Sequence, residues 1–249
     1  MIQDKPFKRA HHQKVHKLLG LLNVDLLAEH SIFFAGGTAC SLLLNEYRLS
    51  TDIDFLVDSI DGFSAIRSLT NNISLGQIAT STLVYAREVK ADRDGIRTYI
   101  IIDDTPIKIE FVLEARIKLD GDINSLTGVP TLSRCDLMAE KLLANDDRGQ
   151  DMSTYSRDII DLSYMIEAWG DISDDSWKKV IKAYGPSAIC KYNNAIDLIH
   201  KNDWLSVCVK HLDIPINDTN KILRNLNKID KKSVEQILHR ASSSSYQRP

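Results

Sequence analysis

The sequence predicts an α+β fold, in which a mixed sheet-and-helix front half is followed by a helical back half. Two observations support this prediction. Short apolar or alternating segments, separated by glycine, proline and polar residues, recur up to about residue 113. After Pro130 these strand signals nearly vanish, and apolar residues recur instead at three- and four-residue spacing as far as about Arg240. We therefore expect an α/β domain over residues 1–130 and a helical domain over residues 131–249.

The elements of the front half follow from the same patterns. Val15 and several leucines recur at helical spacing, which predicts a single opening helix from about residue 8 to residue 29. The further predicted elements are a strand at 31–35, a helix at 38–47, a strand at 53–57, a helix near 63–69, and strands around 81–89, 97–102 and 107–113. In the back half we expect helices alone, ending in a frayed polar tail at 242–249.

Composition narrows the class of protein. Hydrophobic residues make up 43% and charged residues 26% of the 249 residues, as in ordinary globular proteins. No apolar run approaches the roughly 18 to 20 residues that span a bilayer, and the first residues lack the apolar core of a secretory signal. The four cysteines show no CxxC pairing, which favours reduced thiols over a zinc finger or a disulfide framework. We expect a soluble, cytoplasmic protein with no membrane partner.

The net charge of −3 conceals an asymmetry along the chain. Residues 178–249 carry thirteen Lys and Arg against six Asp and Glu, whereas residues 1–177 carry eighteen against twenty-eight. Two interpretations remain open. The charges are either ordinary solvated helix faces, or a basic surface that steers a polyanion toward an acidic, metal-holding half.

A glycine turn, Gly36-Gly37-Thr38, follows the predicted strand at 31–35 and precedes a predicted helix. Glycines let main-chain amides approach a phosphate closely, and a helix N-terminus adds free N–H groups and the positive end of a dipole. Thr38 could add a hydroxyl donor or cap the helix. The turn lacks the GK[ST] ending of a Walker P-loop, and glycine turns before helices are also common without any ligand.

Asp52 and Asp54 give a stronger signal, because they alternate with apolar Ile53 and Phe55 on a predicted strand. Alternation places both carboxylates on one face, about 6 to 7 Å apart, while the apolar side chains pack into the core. Two like charges at that separation favour a cation between them, and Mg²⁺ accepts hard oxygen ligands together with water and substrate phosphates. The alternative is a pair of solvated acids on an exposed strand face.

Glu110 offers a third carboxylate. On the predicted strand at 107–113, Lys108 and Glu110 alternate with apolar Ile109 and Phe111, so Glu110 projects from a strand as the two aspartates do. Three carboxylates can share two metal ions about 3.5 to 4 Å apart, which stabilise the attacking and leaving oxygens of a phosphoryl displacement. The alternative is a surface charge on an edge strand.

These residues resemble a known family. G-G-T followed by R-x-S-x-D-x-D, at Arg48, Ser50, Asp52 and Asp54, is similar to the AbiEii family of abortive-infection toxins, relatives of the MenT toxins within the DNA polymerase β-type nucleotidyltransferase superfamily. The resemblance covers residues 34–162 and implies a polymerase β-like nucleotidyltransferase domain. The turn ends in Gly-Thr where the superfamily usually has Gly-Ser, and Glu110 stands where many relatives have aspartate.

A second block resembles the family's downstream K-L-x-A, Arg and R-D-x-x-D-L pattern: DLMAEKLLA, Arg148 and RDIIDL. Lys141 and Arg148 are two helical turns apart, and Asp158 and Asp161 are three residues apart, so each pair lies on one helix face. The resemblance implies that Lys141 contacts the nucleotide phosphates and that Asp158 completes the site, with Asp161 the more structural acid. The alternative is an interhelical salt-bridge network.

The resemblance implies an enzyme that transfers NMP from an NTP to an acceptor, with Mg²⁺ as cofactor and a two-metal site possible. The implied catalytic residues are Asp52, Asp54, Glu110, Lys141 and Asp158. The implied nucleotide-binding residues are Gly36, Gly37, Thr38, Arg48, Ser50 and Lys141, and the implied metal ligands are Asp52, Asp54 and Glu110. The implied role is the toxin of a toxin–antitoxin or abortive-infection system, with tRNA as acceptor and a cognate antitoxin protein as partner.

Two alternatives stay open. The acceptor could be a protein or small-molecule hydroxyl, or the chain could be a catalytically inactive binding protein of the same fold. His11, His12 and His16 lack a third metal ligand or an HExxH pattern, so we expect solvated helix histidines.

Overall fold

The computed structural model describes the backbone of residues 6–243 and the side chains up to Ala241. Residues 244–249, which belong to the tail predicted to be frayed, lie outside this range. The chain divides into two compact units, with the boundary between Ser133 and Arg134. In the described part of the chain, no helix is both long enough and apolar enough to cross a membrane.

The front unit alternates helices with the strands of one sheet. In chain order its elements are α1 (Ala10–Leu19), α2 (Val24–Glu29), β1 (Ile32–Ala35), α3 (Gly36–Leu43), β2 (Ile53–Val57), α4 (Ile60–Leu69), β3 (Lys90–Ala91), β4 (Ile96–Ile102), β5 (Thr105–Leu113), β6 (Gly121–Ile123) and β7 (Pro130–Leu132). The strands form a seven-stranded sheet in the order β3-β4-β5-β2-β1-β7-β6. Pairs β2–β5 and β1–β7 are parallel and the other pairs are antiparallel, so the predicted mixed sheet is confirmed.

Strand β2 lies at the centre of this sheet because one of its faces is wholly apolar. Ile53, Phe55 and Val57 are fully buried. The Phe55 ring stacks on Phe111 of β5, with ring centroids 5.1 Å apart, and lies tilted against Phe34 of β1 at 5.7 Å. Burying one such aromatic side chain contributes about 1.5 to 3 kcal/mol. These contacts on both sides fix the register of β2, and therefore the face on which its polar residues lie.

The back unit consists of helices, as predicted. They are α5 (Arg134–Arg148), α6 (Arg157–Trp169), α7 (Asp174–Tyr184), α8 (Ser187–Ile199), α9 (Trp204–His211), α10 (Thr219–Asn225) and α11 (Lys231–Ser243). Helix α5 packs against α6, α7 and α8 through residues such as Leu142 and Leu143, which are almost fully buried. Ser173 caps α7 by accepting a hydrogen bond from the Ser176 amide at 3.1 Å. The predicted α+β fold class is therefore confirmed.

The prediction of one helix over residues 8–29 is wrong, because the chain leaves the helix between Gly20 and Asn23. The Asn23 amide donates to the carbonyl of Ile78 at 2.9 Å, and Leu22 forms a bridge with Ala79. The Asn23 side chain then caps α2 by accepting from the Leu26 amide at 3.2 Å. A tertiary pairing thus divides an apolar pattern that suits one helix.

The prediction of a strand over 81–89 is also wrong. Tyr85 makes only an isolated bridge with Ile100 of β4. Beyond this bridge the regular main-chain pairing with β4 stops. The Arg87 carbonyl accepts a hydrogen bond from the Thr98 hydroxyl at 2.8 Å, and the Val89 amide donates to the Asn72 carbonyl at 3.0 Å. The short strands β6 and β7 were not predicted, since three residues are too few to show an alternating pattern.

Candidate active site

The glycine turn, which forms the first residues of α3, packs directly on Asp54 and Arg48. Gly36 has φ +72°, a conformation that favours glycine, and a Cβ atom added there would overlap the Asp54 carboxylate. A Cβ atom added at Gly37 would overlap the Arg48 guanidinium. The residue before the helix is Ala35, whose side chain cannot accept a hydrogen bond, so no side chain of its own covers the first N–H groups of α3.

Thr38 links this turn by hydrogen bonds to the segment that leads into β2. Its hydroxyl oxygen lies 2.9 Å from the Ser50 hydroxyl and also hydrogen-bonds the carbonyl of Asp52. Thr38 is almost fully buried and lies in the third position of α3, so it does not cap the helix. Of the two roles open to it in the sequence, helix capping is thus wrong.

Arg48 and Ser50 shape the other side of the turn. Arg48 is 4% exposed, its guanidinium donates to the Leu49 carbonyl at 3.0 Å, and its own carbonyl accepts from the Ser41 hydroxyl at 2.6 Å. Its guanidinium and the Ser50 hydroxyl both lie beside Gly37. A cation and a hydroxyl therefore line the wall next to the main-chain amides of the turn.

Asp54 lies on β2 and Asp52 immediately precedes that strand. Both residues are partly exposed, whereas Ile53 and Phe55 are fully buried. Asp52 Oδ1 accepts a hydrogen bond from the Thr51 hydroxyl at 3.2 Å. Both carboxylates are therefore accessible, and that of Asp54 lies next to the glycine turn.

Glu110 is the direct neighbour of Asp54 across the parallel pair β2–β5. Lys108 Nζ lies 2.5 Å from Glu110 Oε2, and Arg97 Nε lies 3.9 Å from Glu110 Oε1. Partial burial lowers the pKa of Lys108, but the hydrogen bond to Glu110 and the charges of Glu110, Asp52 and Asp54 outweigh it, so this pKa is raised. Lys108 therefore interacts with the three carboxylates Asp52, Asp54 and Glu110. The alternating pattern of β5 places Lys108 on the same strand face as Glu110, which is the signal in the sequence that points to it.

Carboxylate oxygens of this site could coordinate a metal ion, but they would supply only part of its coordination shell. Within the described residues, no three Asp, Glu, His or Cys side chains are grouped in a way that could hold a metal ion. Mg²⁺ is usually bound by one or two carboxylates, and water and substrate phosphates complete its octahedron. Asp52 and Asp54 fit that donor set.

The second predicted block forms a buried ionic network in the back unit. Lys141 Nζ lies 3.0 Å from Asp158 Oδ1 and 2.7 Å from Asp161 Oδ2. Arg148 donates two hydrogen bonds to Asp158, at 2.7 and 3.0 Å. Burial raises the pKa of Asp158, but the charges and hydrogen bonds of Lys141 and Arg148 outweigh it and hold this pKa well below its usual range. The structure thus brings together four of the charged residues of this block, Lys141, Arg148, Asp158 and Asp161.

One histidine differs from its prediction. His12 was expected to be solvated, yet it is fully buried, because its ring packs between Glu46 and Ser50. A lone histidine on an amphipathic helix gives no signal of this burial, since its two partners lie 34 and 38 residues away. His11 and His16 are partly exposed.

A mixed sheet with a glycine turn beside the Asp54 carboxylate fits the nucleotidyltransferase class. Two solved structures share this fold. One is a protein from H. pylori, provisionally named a nucleotidyltransferase, with 15% identity, a TM-score of 0.51, and coverage of 95% of this chain and 97% of that chain. The other is JHP933 from Helicobacter pylori, with 18% identity, a TM-score of 0.53, and coverage of 96% and 100%. At these identities the likeness shows a shared fold.

Residues 18–240 match the family described as "Nucleotidyl transferase AbiEii toxin, Type IV TA system". The chain therefore belongs to the AbiEii nucleotidyltransferase toxin family, and the resemblance seen in the sequence is confirmed. A comparison with curated proteins finds no match.

Proposed function

We propose that this chain transfers NMP from an NTP to a hydroxyl group of tRNA, as the toxin of a cytoplasmic toxin–antitoxin pair with a cognate antitoxin protein. Membership of a toxin family supports the biological role. One observation carries the proposed chemistry. The glycine turn approaches the Asp54 carboxylate so closely that no side chain fits at Gly36. A phosphate bound to this turn would therefore lie beside the Asp54 carboxylate.

The triphosphate would bind at the turn. Main-chain amides at Gly36 and Gly37, together with the positive end of α3, attract anions. Arg48, Ser50 and Thr38 would hold the turn in shape, and Arg48 adds positive charge beside Gly37.

Asp52 and Asp54 would hold Mg²⁺, and Glu110 would assist them. When bound, Mg²⁺ would supply positive charge that offsets the developing negative charge on the phosphate oxygens. The proposal is supported by the raised pKa of Lys108, because the hydrogen bond to Glu110 and the charges of Glu110, Asp52 and Asp54 favour positive charge at this position.

In the proposed reaction, the acceptor hydroxyl oxygen forms a bond to the α-phosphorus of the NTP. The bond from the α-phosphorus to the oxygen bridging to the β-phosphate breaks, and pyrophosphate leaves with that electron pair. The hydroxyl proton passes to Glu110, which lies beside Asp54 across the strand pair. NMP is thereby joined to the acceptor through a new phosphodiester bond.

A row of side chains across the sheet supports a polyanionic acceptor. Strand register aligns Asp54 with Glu110, Glu110 with Arg97, and Arg97 with Lys90 at the edge strand. Adjacent strands are about 4.8 Å apart, so Arg97 lies about 10 Å and Lys90 about 14 Å from Asp54 along this face. Arg97 also pairs with Asp92, at 3.1 Å, and an RNA phosphate would compete for it. Ala35 and the glycine turn lie on the opposite side of Asp54, so the NTP and the acceptor would occupy separate positions in this proposal.

Transfer is tested by incubating the pure protein with each labelled NTP, Mg²⁺ and total tRNA, and repeating the assay on Asp52→Ala. Label on tRNA that disappears in the variant supports the proposal. Label on the protein itself would instead indicate a protein acceptor. No transfer to any acceptor, together with no Mg²⁺-dependent NTP binding, would leave a binding protein of the same fold.

A further inference from the structure

The segment that leads into β2 is held by side chains rather than by a sheet. Residues 50–52 belong to neither a helix nor a strand. Three of their main-chain groups nevertheless have partners. The Ser50 amide donates to His12 Nε2 at 3.3 Å, the Thr51 carbonyl contacts His11 Nε2 at 3.0 Å, and the Asp52 carbonyl contacts the Thr38 hydroxyl. Two of the three partners come from consecutive histidines of α1.

His12 is the buried member of this pair, and both of its ring nitrogens are used. A main-chain N–H can only donate, so Nε2, which faces the Ser50 amide, must carry the lone pair. In the neutral ring the proton then resides on Nδ1, which lies 2.9 Å from Glu46 Oε1. Burial lowers the pKa of His12, although Glu46 opposes this shift, so the neutral ring is the favoured form near neutral pH.

Glu46 fixes the ring from its other side. Its carboxylate accepts from the Lys8 amide at 2.6 Å and from the Arg9 amide at 2.9 Å, and both amides lie just before α1. Asn45 and Glu46 both have positive φ, of 58° and 57°, a conformation that costs about 1 kcal/mol or more for a residue that is not glycine. Hydrogen bonds from two main-chain amides and from His12 therefore hold the Glu46 carboxylate beside the histidine ring.

We propose that His12 is a positioning residue of the active site, which holds the Ser50 amide and thereby fixes the segment that carries Asp52. It touches neither the reacting atoms nor a metal ligand. Through Ser50 it also fixes the hydroxyl that contacts Thr38 beside the glycine turn. Its effect on catalysis rests on the proposed function, whereas its hold on Ser50 does not.

Two substitutions of His12 separate its two hydrogen bonds. The amide of His12→Gln reaches the position of Nε2, so it can accept from Ser50 but no longer donates to Glu46 from Nδ1. The shorter amide of His12→Asn reaches the position of Nδ1, so it can donate to Glu46 but leaves the Ser50 amide without its acceptor. Each variant loses one buried hydrogen bond, so their melting temperatures are expected to fall by similar amounts.

The experiment measures exchange of the Ser50 amide hydrogen by NMR, and kcat and KM for label transfer, in both variants and the natural protein. A buried donor left without a partner costs enough to predict about a tenfold effect. We therefore expect His12→Asn to exchange Ser50 at least about tenfold faster and to lose about tenfold in kcat, with KM for the NTP nearly unchanged. His12→Gln is expected to stay within about threefold of the natural protein in both exchange and kcat.

Equal losses of kcat in the two variants would overturn the proposal, because a merely structural histidine affects activity only through stability. Unchanged exchange of Ser50 in His12→Asn would overturn it as well. If the natural protein transfers no label, the proposed function fails, and the exchange data alone decide whether His12 holds the segment.

Discussion

Carboxylates are held in opposite ways in the two units. In the front unit, Asp52, Asp54 and Glu110 are partly exposed, and Lys108 lies against Glu110 with 28% of its side chain exposed. In the back unit, Asp158 is 2% exposed and contacts two cations. Exposed acids can exchange a lysine for another cation at little cost, whereas a buried acid that loses its partner is left with an uncompensated charge. The same residue types are thus accessible in one unit and neutralised by buried ion pairs in the other.

The largest expected effect is on activity in the front unit. Asp54→Asn keeps the shape of the side chain but removes its charge, so we expect kcat for label transfer to fall at least about a hundredfold. The melting temperature should change little, because Asp54 is not buried. Asp122→Asn on β6 is the matched control, since Asp122 is an exposed aspartate on another strand of the same sheet. A fully active Asp54→Asn protein would contradict the assignment of this site.

The second effect is on stability in the back unit. Asp158→Asn leaves Lys141 and Arg148 without their shared carboxylate, so urea unfolding is expected to show a loss of about 3 to 5 kcal/mol. The control is Asp197→Asn, which removes an exposed pair with Lys228 and should cost no more than about 1 kcal/mol. If both variants lose the same amount, the contrast between the two units disappears.

A third prediction concerns cation exchange in the front unit. Lys108→Gln removes the positive charge beside Glu110, so the acids should bind Mn²⁺ several-fold more tightly, by about twofold to fivefold. Electron paramagnetic resonance of free Mn²⁺ measures this affinity. Lys118→Gln serves as the control, because Lys118 is 81% exposed and pairs with Asp58. Weaker binding of Mn²⁺ by Lys108→Gln would mean that Lys108 supports the cation site rather than competing with it.

The smallest expected effect is the pH dependence that His12 gives to the front unit. The pKa of His12 is lowered in the folded protein by burial, against an unfolded value of about 6.5. Below that pH the unfolded chain binds a proton that the folded chain does not, so stability falls as the pH drops. Glu46, Arg9 and His11 face the ring and shift the size of this effect.

Urea midpoints measured between about pH 7 and pH 5 test this prediction. The natural protein should lose more stability over this window than His12→Gln, which has no ring to protonate. A variant that loses as much as the natural protein would assign the pH dependence to other groups.

The sequence determined the parts of the molecule that depend on local pattern. Alternation in IDFLV predicted strand β2 with the same bounds that the structure shows, because burying Ile53, Phe55 and Val57 on one face allows only one arrangement. Two motif blocks in one order were enough to identify the family, which the match over residues 18–240 confirms. The switch from alternating to helical spacing near Pro130 likewise predicted the fold class.

Tertiary structure decided what depends on partners distant in the sequence. Pairing of residues 22–23 with 78–79 divided the first predicted helix. The Thr98 hydroxyl ended a strand that residue propensity favours, and Glu46 and Ser50 buried a histidine that the helical pattern leaves in solvent. Hydrogen bonds and ion pairs are satisfied by whichever group the fold brings near, so spacing along the chain cannot reveal them.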